Sequence, residues 1–174
     1  MNSVIYLGGG CFWCIESVYK KIKGIVSVAP GYMGGKNPNP TYEEVCEGYT
    51  NHVEVIKLEY DDINILQILN IFFVIHDPTS INRQGADVGT QYRSAIFCDS
   101  NERSGIVDYI QELEKKDIFN DKIVTEVNEL SDFYIAEDYH HDYFAKNPGN
   151  AYCQAVINPK LAKLRLSFSD LISE

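Results

Sequence analysis

Val4-Ile5-Tyr6-Leu7-Gly8-Gly9-Gly10-Cys11-Phe12-Trp13-Cys14-Ile15-Glu16-Ser17-Val18-Tyr19 is the stretch that decides the fold. The apolar run at residues 4–7 predicts a short strand. Behind the three glycines, Ile15, Val18, Tyr19 and Ile22 recur at helical spacing. Lys20, Lys21 and Lys23 gather near the end of that period, and Gly24 stops it. Residues 25–28 return to a strand pattern. This strand–helix–strand unit reads as half of a ferredoxin-like plait.

Working outward, residues 30–40 are rich in Gly, Pro and Asn and predict a loop. Thr41 and Glu44 have the spacing of a capping box that opens a short helix. Residues 52–60 alternate as a strand, with His52, Glu54, Ile56, Leu58 and Tyr60 on one face. Residues 65–75 predict an apolar helix, 77–89 a polar loop, 91–98 a strand, and 101–116 a solvated amphipathic helix. A strand at 123–127 and a short helix at 136–146 follow. From Asn147 the chain reads as irregular and then weakly helical. With no repeat or linker, residues 1–174 form one domain. The expected fold is α+β: a two-layer sandwich with a mixed sheet, a ferredoxin-like plait core and a long irregular C-terminal tail.

The 174 residues, 45% of them hydrophobic, suffice for one sizeable core. The net charge of -10 repels nucleic acid and anionic membrane, so neither is expected as a partner. No basic leader and no membrane-length apolar run is visible, which points to the cytoplasm. Five cysteines, an odd number without a leader, argue against a disulfide framework. Cys46 and Cys98 are read as small buried hydrophobes.

Cys11 lies where a strand gives way to a helix. Unpaired N–H groups and the helix dipole at that place favour a thiolate. Two aromatic rings, Phe12 and Trp13, stand beside it. Cys14 completes a Cys-x-x-Cys, the spacing of a dithiol redox pair. A metal site would need further ligands; His140 and His141, adjacent on a helix, would point to different sides. Glu54 shares the strand face of Ile56 and Leu58, so alternation aims a carboxyl at the core. A desolvated carboxyl has a raised pKa and serves as a proton donor near neutral pH.

These segments together resemble the A-type peptide methionine sulfoxide reductases. The resemblance runs through Gly10-Cys11-Phe12-Trp13, Gly31-Tyr32-Met33-Gly34-Gly35, Pro38-Asn39-Pro40-Thr41-Tyr42 and His52-Val53-Glu54-Val55. It continues at His76-Asp77-Pro78, at residues 83–94, at Phe133-Tyr134, at residues 136–140, at Asn147-Pro148 and at Tyr152-Cys153. It implies reduction of the S epimer of methionine sulfoxide, free or in oxidised proteins, by a monomer without metal or cofactor. Cys11 would attack the sulfoxide sulfur and Glu54 would protonate its oxygen. Tyr42 and Tyr92 would hydrogen-bond that oxygen, Asp87 would help organise the pocket, and Phe12 and Trp13 would cradle the methyl group. Cys11 would become a sulfenic acid, a resolving thiol would convert it to a disulfide, and thioredoxin would reduce that bond.

The chain departs from the resemblance in two places. Cys14 stands where the family often has glycine, and the family's longer glycine-rich tail with a further cysteine is missing. Either Cys153 or Cys14 would then resolve the sulfenic acid. Cys153 is favoured, because a mobile tail can swing to Cys11 and a Cys11–Cys14 bridge would strain a first helical turn. A relay using both is a further option. Two other classes stay open on the residues alone: a general dithiol oxidoreductase, and a metal-binding or redox-sensing module.

Overall fold

β1 (Ser3–Gly8) enters the glycine turn and α1 (Phe12–Tyr19) leaves it. The structure, a computed structural model, describes residues 2–173. After α1 come β2 (Ile25–Met33), α2 (Tyr42–Cys46), β3 (Val53–Tyr60) and α3 (Ile65–Ile75). The short strands β4 (Arg83–Gln84) and β5 (Asp87–Val88) form a separate hairpin. β6 (Ala95–Cys98), α4 (Ser100–Lys115), β7 (Glu126–Glu129), β8 (Tyr134–Ile135), α5 (Tyr143–Lys146) and α6 (Asn158–Phe168) complete the chain. The main sheet has six strands in the order β7-β6-β1-β3-β2-β8. Only β6–β7 is parallel, so the sheet is mixed and the fold is α+β. Among the described residues no helix is long and apolar enough to cross a membrane.

Two glycines make the β1–α1 corner possible. A Cβ on Gly8 would lie 2.6 Å from Val53 Cγ1 and 2.9 Å from the Glu54 carbonyl. Gly10 has φ +95°, which side chains disfavour. β1 therefore lies flush on β3 and turns sharply at its end. α3 begins at a full capping box: the Asn64 side chain accepts from Gln67 N–H, and the Gln67 side chain accepts from Asn64 N–H. Its Ile68, Leu69, Ile71 and Phe72 are buried in the large core shared with α1, α6 and the sheet. At Thr41 half of the expected box is present: Thr41 Oγ1 accepts from Glu44 N–H at 3.2 Å. The opposite sheet face carries a smaller cluster of Met33, Val53, Val55, Ala95 and Phe97, packed with Tyr6 and Phe133.

Several expectations are corrected. β2 continues to Met33, through the predicted loop. The Pro30 carbonyl accepts the Ala136 N–H at 2.9 Å. The missing Pro30 N–H therefore faces the short edge strand and removes nothing from the β2–β3 ladder. Residues 90–92 form a 3-10 turn (Thr90–Tyr92), so β6 starts only at Ala95, and β7 lies three residues later than predicted. The single helix expected at 136–146 is broken. A 3-10 turn (Asp138–His140) is followed by Asp142 in the left-handed region, φ 59°. The Asp142 N–H is drawn to the buried Glu16 carboxylate, 2.9 and 3.0 Å from its two oxygens, and so leaves the helical ladder.

The tail is not a long irregular segment. Beyond residues 147–150 it winds into a helical turn, one π-helical stretch (Cys153–Ile157) and then α6. Cys153, Ile157, Leu161 and Leu164 are buried in the main core, and α6 touches α1 and α3. The apolar positions follow helical spacing across the π-to-α junction, which blurs their period in the sequence. Leu164→Ala should therefore lower the unfolding free energy in urea by about 2–5 kcal/mol. A change within about 0.5 kcal/mol, as at an exposed site, would show a tail that is not packed.

Candidate active site

Cys11 is the N-cap residue of α1, with an extended backbone (φ -61°, ψ 129°). It stands one residue before the first helical turn, where sequence reading placed it inside that turn. Cys14, in the turn, donates its N–H to the Cys11 carbonyl at 3.1 Å. The expectation of an easily ionised Cys11 is also corrected. The residue is only 9% exposed, and burial pushes its thiol well up; the Trp13 N–H pulls it down only in part. The neighbouring Cys11 side chain, more than anything else, pulls the Cys14 thiol down, to about 7. Between the two thiols, the proton is favoured on Cys11.

Glu54 sits on β3 opposite Tyr32, 0% exposed and on the helix-covered face. One carboxyl oxygen, Oε1, accepts the Phe12 N–H at 3.2 Å. The other, Oε2, is buried without a hydrogen-bond partner among the described residues. Burial raises the Glu54 pKa to about 8, against the Phe12 hydrogen bond that lowers it. Tyr42 opens α2 and Tyr92 closes the Thr90–Tyr92 turn; both are half-buried. Burial first, and then the nearby Glu54 charge, push both hydroxyls far up, so they remain donors at any ordinary pH.

Of the two rings beside the thiol, only Trp13 is partly open. Phe12 is fully buried against Tyr32 and His140, with ring centroids 5.7 and 5.0 Å apart. Trp13 stacks on Tyr143 at 3.7 Å and 3°. Its Nε1–H donates to His140 Nδ1 at 3.0 Å, which fixes the indole in its plane. Asp87, on β5, takes the Tyr152 hydroxyl proton on Oδ2 at 2.6 Å. The same Tyr152 oxygen lies 3.5 Å from Cys14 Sγ. Cys153 is 0% exposed, and burial and then the Cys14 charge raise its thiol. Cys14 is thus tied to Cys11 through the backbone of the helix start, while Cys153 is held in the packed tail. Cys98 is buried as expected, but Cys46 is exposed.

Four contributors escape sequence reading. Glu137 Oε1 accepts from Tyr32 OH and Oε2 from Tyr42 N–H, each at 2.8 Å. His140, Tyr143 and Tyr152 hold Trp13 and Cys14 as described above. The density of rings and acids between 137 and 152 is the signal they leave. Their sides cannot be assigned from the sequence, because this segment follows no single period.

The chain matches the family Peptide methionine sulfoxide reductase over residues 3–171. It is 50% identical over 170 residues to "Peptide methionine sulfoxide reductase MsrA" of Polynucleobacter asymbioticus, covering 96% of this chain and 90% of that one. The protein of the same name from Saccharolobus solfataricus is 52% identical over 172 residues, covering 97% and 96%. Among solved structures, reduced Mxr1 from Saccharomyces cerevisiae aligns with a TM-score of 0.80 at 36% identity, covering 86% of this chain and 87% of that one. Methionine sulfoxide reductase A of Corynebacterium diphtheriae aligns with a TM-score of 0.71 at 36% identity, covering 84% and 76%. By sequence and by fold, the chain belongs to the A-type peptide methionine sulfoxide reductase family: it is a methionine sulfoxide reductase, an oxidoreductase.

Proposed function

We propose that the protein reduces the S epimer of methionine sulfoxide, free or in oxidised proteins, with Cys11 as nucleophile and Glu54 as general acid. The observation that carries the reading is the divided carboxyl of Glu54. One oxygen is fixed by Phe12 N–H, the residue next to Cys11; the other is buried and free. With a pKa near 8 the group is protonated at neutral pH and has a proton to give. A sulfoxide is a weak electrophile until its oxygen is protonated or strongly hydrogen-bonded. Glu54 supplies that proton, and Tyr42 and Tyr92 donate to the same oxygen. The Cys11 sulfur bonds the activated sulfur; the bond collapses with the oxygen carried over to Cys11. Methionine leaves, the enzyme holds a sulfenic acid, and the Cys11 proton restores Glu54. Trp13 cradles the methyl group, with Phe12 and His140 as its support and Asp87 at the rim. Acid, sulfur and ring fix three directions around a chiral sulfur, which selects one epimer.

The sulfenic acid then condenses with the Cys14 thiol: an S–S bond forms and water leaves. This reverses the sequence preference for Cys153. Cys14 lies in the first turn of α1 and Cys11, with its extended backbone, lies outside that helix, which eases the strain argued against the bridge, while Cys153 is 0% exposed in the packed tail. Cys153 takes the disulfide over from Cys14, and thioredoxin reduces it. The topology supports the plait reading as well: β1, α1, β2, β3, α3 and β6 follow one another, with the four strands in the order β6-β1-β3-β2.

Glu54→Gln should lower kcat/KM for methionine-S-sulfoxide by about 10²–10⁴-fold with dithiothreitol as reductant. A loss of less than about threefold would favour plain dithiol exchange, which needs no acid. The active form of Glu54 is the protonated one, so wild-type turnover should fall as pH rises through about 8, and Glu54→Gln should lose that limb. Cys153→Ser treated with one equivalent of substrate should form a Cys11–Cys14 disulfide at the wild-type rate, read by mass spectrometry. A sulfenic acid that persists in Cys153→Ser would return the resolving role to Cys153.

A further inference from the structure

Cys14, Tyr152 and Asp87 form a hydrogen-bond chain with one proton to share. The Tyr152 hydroxyl donates to Asp87 Oδ2 at 2.6 Å, the short distance of a bond to a carboxylate. A phenol has a single proton. While Asp87 holds it, the Tyr152 oxygen can only accept from Cys14, whose Sγ is 3.5 Å away. The ring is not free to move off: its edge packs on Trp13, with centroids 5.8 Å apart at 83°. Its backbone N–H is tied to Asn150 Oδ1 at 2.9 Å.

We propose that Tyr152 is a positioning residue for the Cys14 thiol and that Asp87 restrains that thiol by keeping the Tyr152 proton turned away from it. When Asp87 lets go, the hydroxyl turns to Cys14 and donates to its thiolate, the form that attacks a sulfenic acid. Attack by the Cys14 thiolate forms the S–S bond and expels hydroxide, which takes up the proton Cys14 gave away; the sum is one water. The step thus has a control separate from the Glu54 acid. Other groups facing Cys14 act on it too. Cys11 at the helix cap lowers its thiol, Lys160 on α6 attracts its charge, and Asp87 and Cys153 oppose it. The test must therefore separate the Tyr152 proton from the Asp87 charge. The inference rests on Cys14 being the partner thiol of Cys11.

Alkylation measures the thiolate without any turnover, so its failure would leave the sulfoxide reading, tested by turnover, untouched. In the full chain carrying Cys11→Ser, whose hydroxyl keeps a polar group beside Cys14, the iodoacetamide rate at Cys14 is read by mass spectrometry at pH 5.5, well below the Cys14 pKa of about 7, where the thiolate is the minor form. Asp87→Asn should raise that rate by about three- to tenfold, the scale of one ordinary hydrogen bond. Adding Tyr152→Phe should remove most of that gain. A double variant as fast as Asp87→Asn alone would overturn the inference, because charge would then explain the whole effect. An Asp87→Asn rate equal to the parent's would overturn it as well. Buried Cys98, alkylated in the same samples, reports the fold; should it become reactive, Asp87→Ala with and without Tyr152→Phe gives the same comparison.

Discussion

The hydrogen bond from Phe12 N–H to Glu54 Oε1 is the constraint on which the site depends. The first N–H groups of a helix have no acceptor within it, and a buried carboxyl needs a donor. Each meets the need of the other, across 42 residues of chain. The bond fixes α1 to β3 at the residue next to Cys11, so the distance from sulfur to carboxyl follows from chain geometry. It is possible only because Gly8 lets β1 run against the Glu54 backbone. Because the bond occupies one oxygen alone, burial acts on the other and keeps the group protonated.

The rings around the thiol are held in turn by two other carboxylates. Glu137 ties Tyr32 and the start of α2 to the segment that carries His140. Glu16, inside α1, captures the Asp142 N–H and so sets where α5 begins and where Tyr143 meets Trp13. Lys20 bridges Glu16 and Asp142 at 3.8 and 2.9 Å, half-exposed, and adds little beyond these bonds. One acidic residue on each side of the Cys11 loop therefore shapes a surface that is otherwise aromatic and without fixed geometry of its own.

Much of this was legible before any coordinates. Period-2 alternation along 52–60 placed Glu54 on the Ile56 and Leu58 face, and it is there. The apolar period of 65–75 marked α3 to the residue, because Asn64 and Gln67 form a local cap. The failures share a cause. At Pro30, at Asp142 and at Cys153 the local signal was overridden by a partner distant in sequence: the β3 ladder, the Glu16 carboxylate and the α1–α3 core. The state of Cys11 failed in the same way. Helix position argued for ionisation, but its burial in the folded core is a property of the whole chain, and burial outweighs one N–H group.

That protonated resting state separates the competing chemistries. A dithiol exchanger with Cys11 at a helix cap has no use for a carboxyl, and a buried one with an unpartnered oxygen costs about 1–3 kcal/mol. Among the described residues the Phe12 N–H is the one hydrogen-bond partner of the Glu54 carboxyl. Such a cost fits the acid role proposed for the group. Oxygen transfer to a thiol needs a neutral acid next to a thiol that is not spent on other electrophiles, and the proton must reach the oxygen before the sulfur is attacked. Burial produces both conditions at once, raising Glu54 and Cys11 together. The same burial that makes Cys11 a poor thiolate thus makes the pair suited to a substrate that has to be protonated first.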